Sequence, residues 1–187
     1  MEQNKLIQLA RNQHLILSFI QEKLDIVNYI LAGYENNEPI FMTNQFLHYT
    51  AHIYYRTIIV EFGALYINKL KNNKNNFHSY YKEKWVRDFL NEESINKIRG
   101  WLDDISHNIK RNEILRHNTI AHFNFDNIES KISFNFEGLV VLNELFEVGM
   151  KILSCVGDGK IDYSYKNDSY LTDLKRIIED LSLLGIS

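Results

Sequence analysis

The sequence predicts an all-α protein, an antiparallel bundle of about five helices formed by residues 1–187 as a single domain. One proline and eight glycines in 187 residues leave few obligatory breaks between helices. Long stretches carry apolar residues at three- and four-residue spacing, the pattern of a helix with one buried face. Residues 128–136 alternate apolar and polar side chains, which indicates a short strand or an extended connection, and a single strand would have no sheet to join.

The first helix is predicted over about 3–31, where leucine and isoleucine recur every three or four positions. Gly33 then offers a C-terminal cap, and Pro39 prevents continuation of the helix. The stripe predicted to be buried consists of Leu6, Leu9, Leu17, Ile20, Leu24, Val27 and either Ile30 or Leu31.

The second helix is predicted to begin after a cap at Thr43 or Asn44 and to end near Leu70. Its predicted core residues are Phe46, Tyr49, Ile53, Ile58, Val60, Phe62, Leu65 and Ile67. The asparagine-rich segment 71–79 favours turns over helix and is predicted to be a solvated loop.

Helical patterns return in the second half of the chain. The predicted segments are 80–90, 94–105 with a break near 106–113, helical turns over 115–123, and two further helices over about 139–156 and 171–184.

Composition and charge exclude several classes of protein. Cys155 is the single cysteine, which excludes an internal disulfide framework and makes a reducing cytoplasm the expected compartment. No targeting signal is expected at the N-terminus, and no run approaches the roughly 20 apolar residues of a membrane span. The net charge of −3 excludes a protein that coats nucleic acid through a global positive field, although Lys110, Arg111 and Arg116 form a local basic cluster.

The stretch 115–123, LRHNTIAHF, carries the clearest chemical signal. Arg116 is followed by the polar residue His117 and then by a short segment that ends in Ala121 and His122. This pattern resembles the signature of the HEPN superfamily (higher eukaryotes and prokaryotes nucleotide-binding), especially its bacterial members of the abortive-infection type. About ten residues carry the resemblance, and the predicted helical order is similar over most of the chain.

The resemblance implies a HEPN-like helical bundle that forms a homodimer, with the Arg-His segments of two subunits facing each other in a cleft. Many members are metal-independent ribonucleases that act as toxins of toxin-antitoxin systems or as antiphage effectors. Carried to this sequence, the resemblance implies catalytic roles for Arg116 and His122 and makes His117 the polar motif position. It further implies RNA as the substrate and no metal or other cofactor.

The sequence departs from that family two places after the motif histidine. Some members carry a tyrosine there, which a nucleotidyltransferase antitoxin modifies, and many abortive-infection members carry an acidic residue. Here Phe123 and Asn124 follow His122. An antitoxin of that enzymatic type is therefore not expected, whereas another antitoxin protein stays open as a partner.

These residue types suit cleavage of RNA through attack by its own 2′-hydroxyl. The reaction requires removal of the hydroxyl proton, protonation of the leaving oxygen and stabilisation of the added negative charge. A histidine, with an ordinary pKa of about 6.5, exchanges protons near neutral pH, and an arginine presents a planar fork of donors to phosphate oxygens. We therefore expect His122 to act as general acid and base, and Arg116 to hold the phosphate.

The spacing of the two residues adds a geometric requirement. A separation of six positions rotates His122 by about 240° from Arg116 on a regular helix, so the two side chains do not share a face. A homodimer would supply a second copy of the histidine. Asn118 does share a face with His122 and is expected to orient it or to bind a nucleotide.

Two other interpretations stay open. The chain is alternatively a HEPN-like module that binds nucleotides, RNA or proteins without catalysis. His48 and His52 stand four positions apart on the second predicted helix, the spacing with which two imidazoles bind one metal ion. No nearby carboxylate offers a third ligand, and packing is the simpler role for this pair.

Overall fold

A computed structural model describes residues 2–68, 75–121, 136–157 and 169–183 of the chain. Every regular element in these residues is an α-helix, which confirms the predicted all-α class. The helices are α1 (Glu2–Glu35), α2 (Pro39–Thr43), α3 (Gln45–Tyr66), α4 (Ser79–Lys82), α5 (Lys84–Arg87), α6 (Glu92–Asp104), α7 (Ser106–Ala121), α8 (Phe136–Gly157) and α9 (Ser169–Leu183).

The described residues thus contain more helices than the five predicted. The connections hold three helices of four or five residues, α2, α4 and α5. The break predicted near 106–113 is wrong, because these residues are helical and α6 is separated from α7 at Ile105 instead. Of the segment 128–136, expected to be a short strand or an extended connection, Phe136 begins α8 and the rest lies outside the described residues.

The buried stripe of α1 is confirmed. Its members are all at most 8% exposed, and Ile30 rather than Leu31 completes it. The spacing of these residues keeps them on one face over nearly the whole helix, so a single apolar stripe is enough to identify the buried side.

The end of α1 differs from the prediction, because Gly33 lies inside the helix. The helix ends with a Schellman motif. In it the Glu38 amide donates to the Gly33 carbonyl and the Asn37 amide donates to the Tyr34 carbonyl, both at 3.0 Å. Asn37 has a left-handed backbone with φ of 55°, which asparagine tolerates better than most residues. Gly33 serves packing instead, since a Cβ there would lie 2.3 Å from the ring of Phe41.

Asn44 caps α3, as predicted. Its Oδ1 accepts from the backbone N–H groups of Phe46 at 3.0 Å and Leu47 at 3.3 Å. Asn91 caps α6 in the same way, through a 2.7 Å bond from the Ser94 amide. Both caps satisfy backbone donors that a helix leaves free at its first turn.

The predicted core of α3 is only half right. Ile58, Phe62, Leu65 and Ile67 are buried, whereas Phe46, Tyr49, Ile53 and Val60 are each between 37% and 68% exposed. Leu47, Ala51 and Tyr55 face the interior in their place. Because α3 carries apolar residues nearly all round, spacing alone does not identify its buried face.

The chain divides into two compact units. The first unit comprises Met1–Leu17 and Ile59–Tyr163, and the second comprises Ser18–Ile58 and Ser164–Ser187. In the first unit α6 contacts α4, α7 and α8, and α7 contacts α8. The motif residues Arg116 and His117 belong to this unit.

A cluster of aromatic rings forms the core of the first unit. Tyr66 is fully buried between Phe62 and Phe77, with ring centroids 6.0 and 5.0 Å away. Its hydroxyl donates to the carbonyl of Leu145 in α8. Gly149 lies one turn further along α8, where a Cβ would lie 3.0 Å from the Tyr66 hydroxyl. The tyrosine therefore joins α3 to α8 by a hydrogen bond and by close packing.

The described part of the asparagine-rich segment is not solvated, contrary to the prediction. Asn76 and Phe77 are buried, and the Phe77 amide donates to the Leu65 carbonyl at 2.8 Å. The buried side chain of Gln13 donates to the Asn75 carbonyl at 3.0 Å and accepts from the Tyr80 hydroxyl. The backbone of the segment is thus bonded inside the first unit, whereas the buried Nδ2 of Asn76 has no hydrogen-bond partner in the described part of the chain.

In the second unit the partly buried ring of Tyr29 contacts both α2 and α9. This ring meets Phe41 edge-on at 5.5 Å, and the Lys175 ammonium of α9 lies 5.3 Å from its centroid. Burial raises the pKa of Asp25, and the charge of Lys175 partly opposes that shift. Ile178 adds a buried apolar contact from α9.

No helix in the described ranges is both long and apolar enough to cross a lipid bilayer.

We expect Tyr66→Phe to lower the free energy of unfolding by about 1 kcal/mol, because the variant loses a buried hydrogen bond but keeps the ring packing. The melting temperature should fall by roughly 2–4 °C. Thermal unfolding followed by circular dichroism measures this change, and Tyr170→Phe, at a 63% exposed position, is the control. Equal melting temperatures for both variants would show that the Tyr66 hydroxyl contributes nothing to stability.

Candidate functional site

The candidate site is centred on α7, whose range includes most of the Arg-His motif. Arg116 is partly buried and His117 is exposed. Asn118 lies within the last turns of α7, and only its backbone is described. His122 lies outside the described residues, so its relation to Arg116 stays a prediction.

The Arg116 side chain crosses α3 at Gly63. A Cβ built on Gly63 would lie 2.4 Å from Cδ and 2.8 Å from Nε of the arginine, so only glycine admits this approach. The Nε of Arg116 is buried and has no hydrogen-bond partner in the described part of the chain. The stem of the arginine is therefore packed, while this donor is not used by the described protein groups.

Asn112 lies one turn before Arg116 on the same face of α7. It is 0% exposed, and its Nδ2 donates to the Ile59 carbonyl of α3 at 3.3 Å. Its Oδ1 is buried and, among the described residues, accepts no hydrogen bond. A buried amide oxygen without a hydrogen-bond partner lowers the stability of the fold. The presence of an asparagine at this position therefore needs a structural or functional explanation.

These two contacts fix how α7 lies on α3. Asn112 meets Ile59, and four residues later Arg116 meets Gly63, four residues after Ile59. The two helices therefore run in the same direction along this contact. Asn108, one turn earlier, donates to the carboxylate of Glu144 in α8, so a polar stripe at spacing four follows this side of α7.

Sequence reasoning identified Arg116 but missed Asn112 and Gly63. The sequence does show Asn112 four positions before Arg116, and it shows a glycine, Gly63, within an apolar helical segment. Neither signal is specific, because polar residues at that spacing usually face solvent and the pairing of α3 with α7 is a tertiary contact.

His78 in the first unit shows how a histidine is held for structure alone. Its Nε2 donates to the Tyr66 carbonyl at 3.1 Å, which leaves Nδ1 to accept from the Tyr81 hydroxyl at 2.6 Å. Burial lowers the pKa of His78, and the charge of Lys82 lowers it further. Both ring nitrogens are engaged, so this side chain offers no ready group for proton transfer.

His48 and His52 of the second unit lie together on α3. Their ring centroids are 4.5 Å apart, and the ring of Tyr34 meets His48 edge-on at 6.2 Å. Burial lowers the pKa of His52 to about 4, with further contributions from His48 and the charge of Arg56. No group of three or more histidine, cysteine or acidic side chains suited to a metal ion occurs within the described ranges.

The pKa of His52 predicts a loss of stability in mild acid. The unfolded imidazole takes up a proton near its ordinary pKa of about 6.5, whereas the folded one stays neutral until about pH 4. The free energy of unfolding should therefore fall as the pH drops from 6.5 to 4, and His52→Gln should reduce that dependence. Urea unfolding at several pH values measures it, and an NMR titration midpoint of His52 near 6.5 would contradict the prediction.

Comparisons of the chain with protein-family models, curated proteins and solved structures give no match. The interpretation of the site therefore depends on its own residues, namely Arg116 packed on Gly63, the bonded amide of Asn112 and the Arg-His spacing in the sequence.

Proposed function

We propose that the chain is a metal-independent endoribonuclease of the toxin or antiphage-defence type, with Arg116 and His122 as its catalytic residues. The observation that supports this proposal best is the state of Arg116. Its methylene stem packs on Gly63, while its buried Nε bonds no described protein group. A buried donor of a purely structural arginine would ordinarily bond a carboxylate or carbonyl. Arg56 in α3 also has a buried Nε without a partner among the described residues, so the motif position of Arg116 is what distinguishes it.

Such an arginine suits the stabilisation of a phosphate in the transition state. The guanidinium stays charged at all physiological pH values, and a packed stem reduces the conformational entropy lost when a phosphate binds. In the proposed reaction the guanidinium holds the scissile phosphate and offsets the negative charge that develops there.

The proposed roles of the other motif residues follow from the chemistry of RNA. His122 removes the 2′-hydroxyl proton, and a second histidine protonates the leaving 5′-oxygen, which yields a 2′,3′-cyclic phosphate. Because one imidazole does not reach both sides of an in-line displacement, the proposal requires a homodimer that contributes His122 twice. His117 and Asn118 are proposed to contact the RNA or to orient the histidine.

The alternative proposal is a non-catalytic module that binds a nucleotide, RNA or a protein. The net charge of −3 favours the nucleotide- or protein-binding form, because proteins that hold an RNA backbone rely on positive charge whether or not they cleave it. Arg116 would hold a phosphate in this case too, so cleavage distinguishes the two proposals.

Cleavage of a mixed RNA pool in EDTA tests the proposed function. The wild-type protein should cut RNA and leave cyclic-phosphate ends, whereas Arg116→Ala and His122→Ala should each lose about a hundredfold or more in rate. Mass measured in solution should show a dimer for all three proteins.

Two variants serve as matched controls. Lys151→Ala removes a positive charge at an exposed position of α8, and His107→Ala removes an imidazole at an exposed position of α7. Both controls should cut at the wild-type rate. If the dimeric wild-type protein cuts no RNA but binds it through Arg116, the binding-module proposal is correct. If all variants cut RNA at the same rate, Arg116 and His122 are not the catalytic residues.

A further inference from the structure

We infer that Gly63 and Asn112 are positioning residues that set the place of the Arg116 guanidinium: the glycine opens the surface of α3 to the arginine, and the asparagine fixes the register of α7 against it. The consequence for catalysis rests on the proposed function. The positioning itself does not, because it is a property of the contact between α3 and α7.

The steric part of the inference depends on Gly63. The contact nearest to a Cβ at this position after Arg116 is Ile67 Cδ1, at 3.4 Å, which is an ordinary packing distance. Arg116 is therefore the group that a methyl at position 63 would displace. A glycine in a helix interior costs stability relative to alanine, so its presence here needs a compensating contact.

The hydrogen-bonding part depends on Asn112. Its Nδ2 bonds the Ile59 carbonyl, which begins the helical turn that ends at Gly63. Sliding α7 along α3 by one residue would break this bond and leave a second group of a fully buried amide without a partner. The bond thus holds the register in which Arg116 lies on the glycine one turn later.

The contrast with Asn108 supports this assignment. Asn108 lies on the same stripe, but it bonds the exposed side chain of Glu144 rather than a backbone carbonyl. Its bond tolerates a shift of the helix, whereas a bond to a fixed carbonyl does not. Asn108 is therefore the matched control for Asn112, with the same residue type on the same face.

A double-mutant cycle in thermal stability tests the steric part without any need for activity. Gly63→Ala should lower the melting temperature in the wild-type background, because it forces Arg116 out of its place. In the Arg116→Ala background the same change should raise it by a few degrees, because only the gain in helix propensity is left.

Gly100→Ala provides the control for this cycle. Nothing lies within 4 Å of a Cβ at Gly100 in α6, so this change should raise the melting temperature equally in both backgrounds. The inference is overturned if Gly63→Ala has the same effect with and without Arg116. It is supported by a reversal of sign that Gly100→Ala does not show.

The catalytic consequence is tested on RNA with the same variants. Gly63→Ala should reduce kcat by about a hundredfold, because a displacement of about 1 Å in a charge-stabilising group has effects of that size. It should cause no further loss in Arg116→Ala, since the glycine acts only through the arginine. Asn112→Ala should lower kcat similarly, and Asn108→Ala should leave it unchanged.

The two sets of measurements separate the two proposals. If Gly63→Ala changes the melting temperature with opposite sign in the wild-type and Arg116→Ala backgrounds while the wild-type protein cleaves no RNA, the positioning is correct and the nuclease proposal is wrong. Cleavage that depends on Arg116 but not on Gly63 or Asn112 would leave the nuclease correct and overturn the catalytic consequence of the positioning.

Discussion

The first unit depends on residues 59–66, the last two turns of α3. Within eight residues this segment accepts the Asn112 amide at the Ile59 carbonyl and the Phe77 amide at the Leu65 carbonyl. It also admits Arg116 at Gly63 and places the buried Tyr66 hydroxyl against α8. Most buried polar groups in proteins are hydrogen-bonded, and the partners here come from segments far apart in the chain. These bonds and close contacts hold α7, α8 and the segment around Phe77 on one short stretch of helix.

The packing of Arg116 on Gly63 places the candidate site directly over the backbone of α3. The Cδ and Nε atoms of Arg116 lie over the backbone of α3, because Gly63 presents no Cβ. The backbone inside a helix is less mobile than a side chain, which limits the movement of this part of the arginine. The neighbouring basic residues Lys110 and Arg111 place positive charge on the same helix without a large basic surface. A short local cluster of this kind fits the overall charge of −3.

The sequence predicted some helices well and others poorly, for identifiable reasons. In α1 one apolar stripe stands against a polar face, and all its predicted members are buried. Asn44 was identified as the cap of α3 because the capping bond is local and needs only the next three residues. The faces of α3 were not separable, since Phe46 and Ile53 are as apolar as Phe62. Gly33 was read as a helix end, but its role is close packing against Phe41, which depends on a residue in α2.

The sequence by itself determined the all-α class, the apolar face of α1 and the presence of an Arg-His pattern over 116–122, because helical period and motif spacing are properties of neighbouring residues. Only the tertiary structure decided that Gly63 lies under Arg116, that Asn112 is fully buried and that Asn76 and Phe77 pack inside rather than in solvent. Each of these depends on which helices meet and in what register. Contacts between segments separated by tens of residues leave no periodic trace in the sequence, and the free energy of the packed core selects among them.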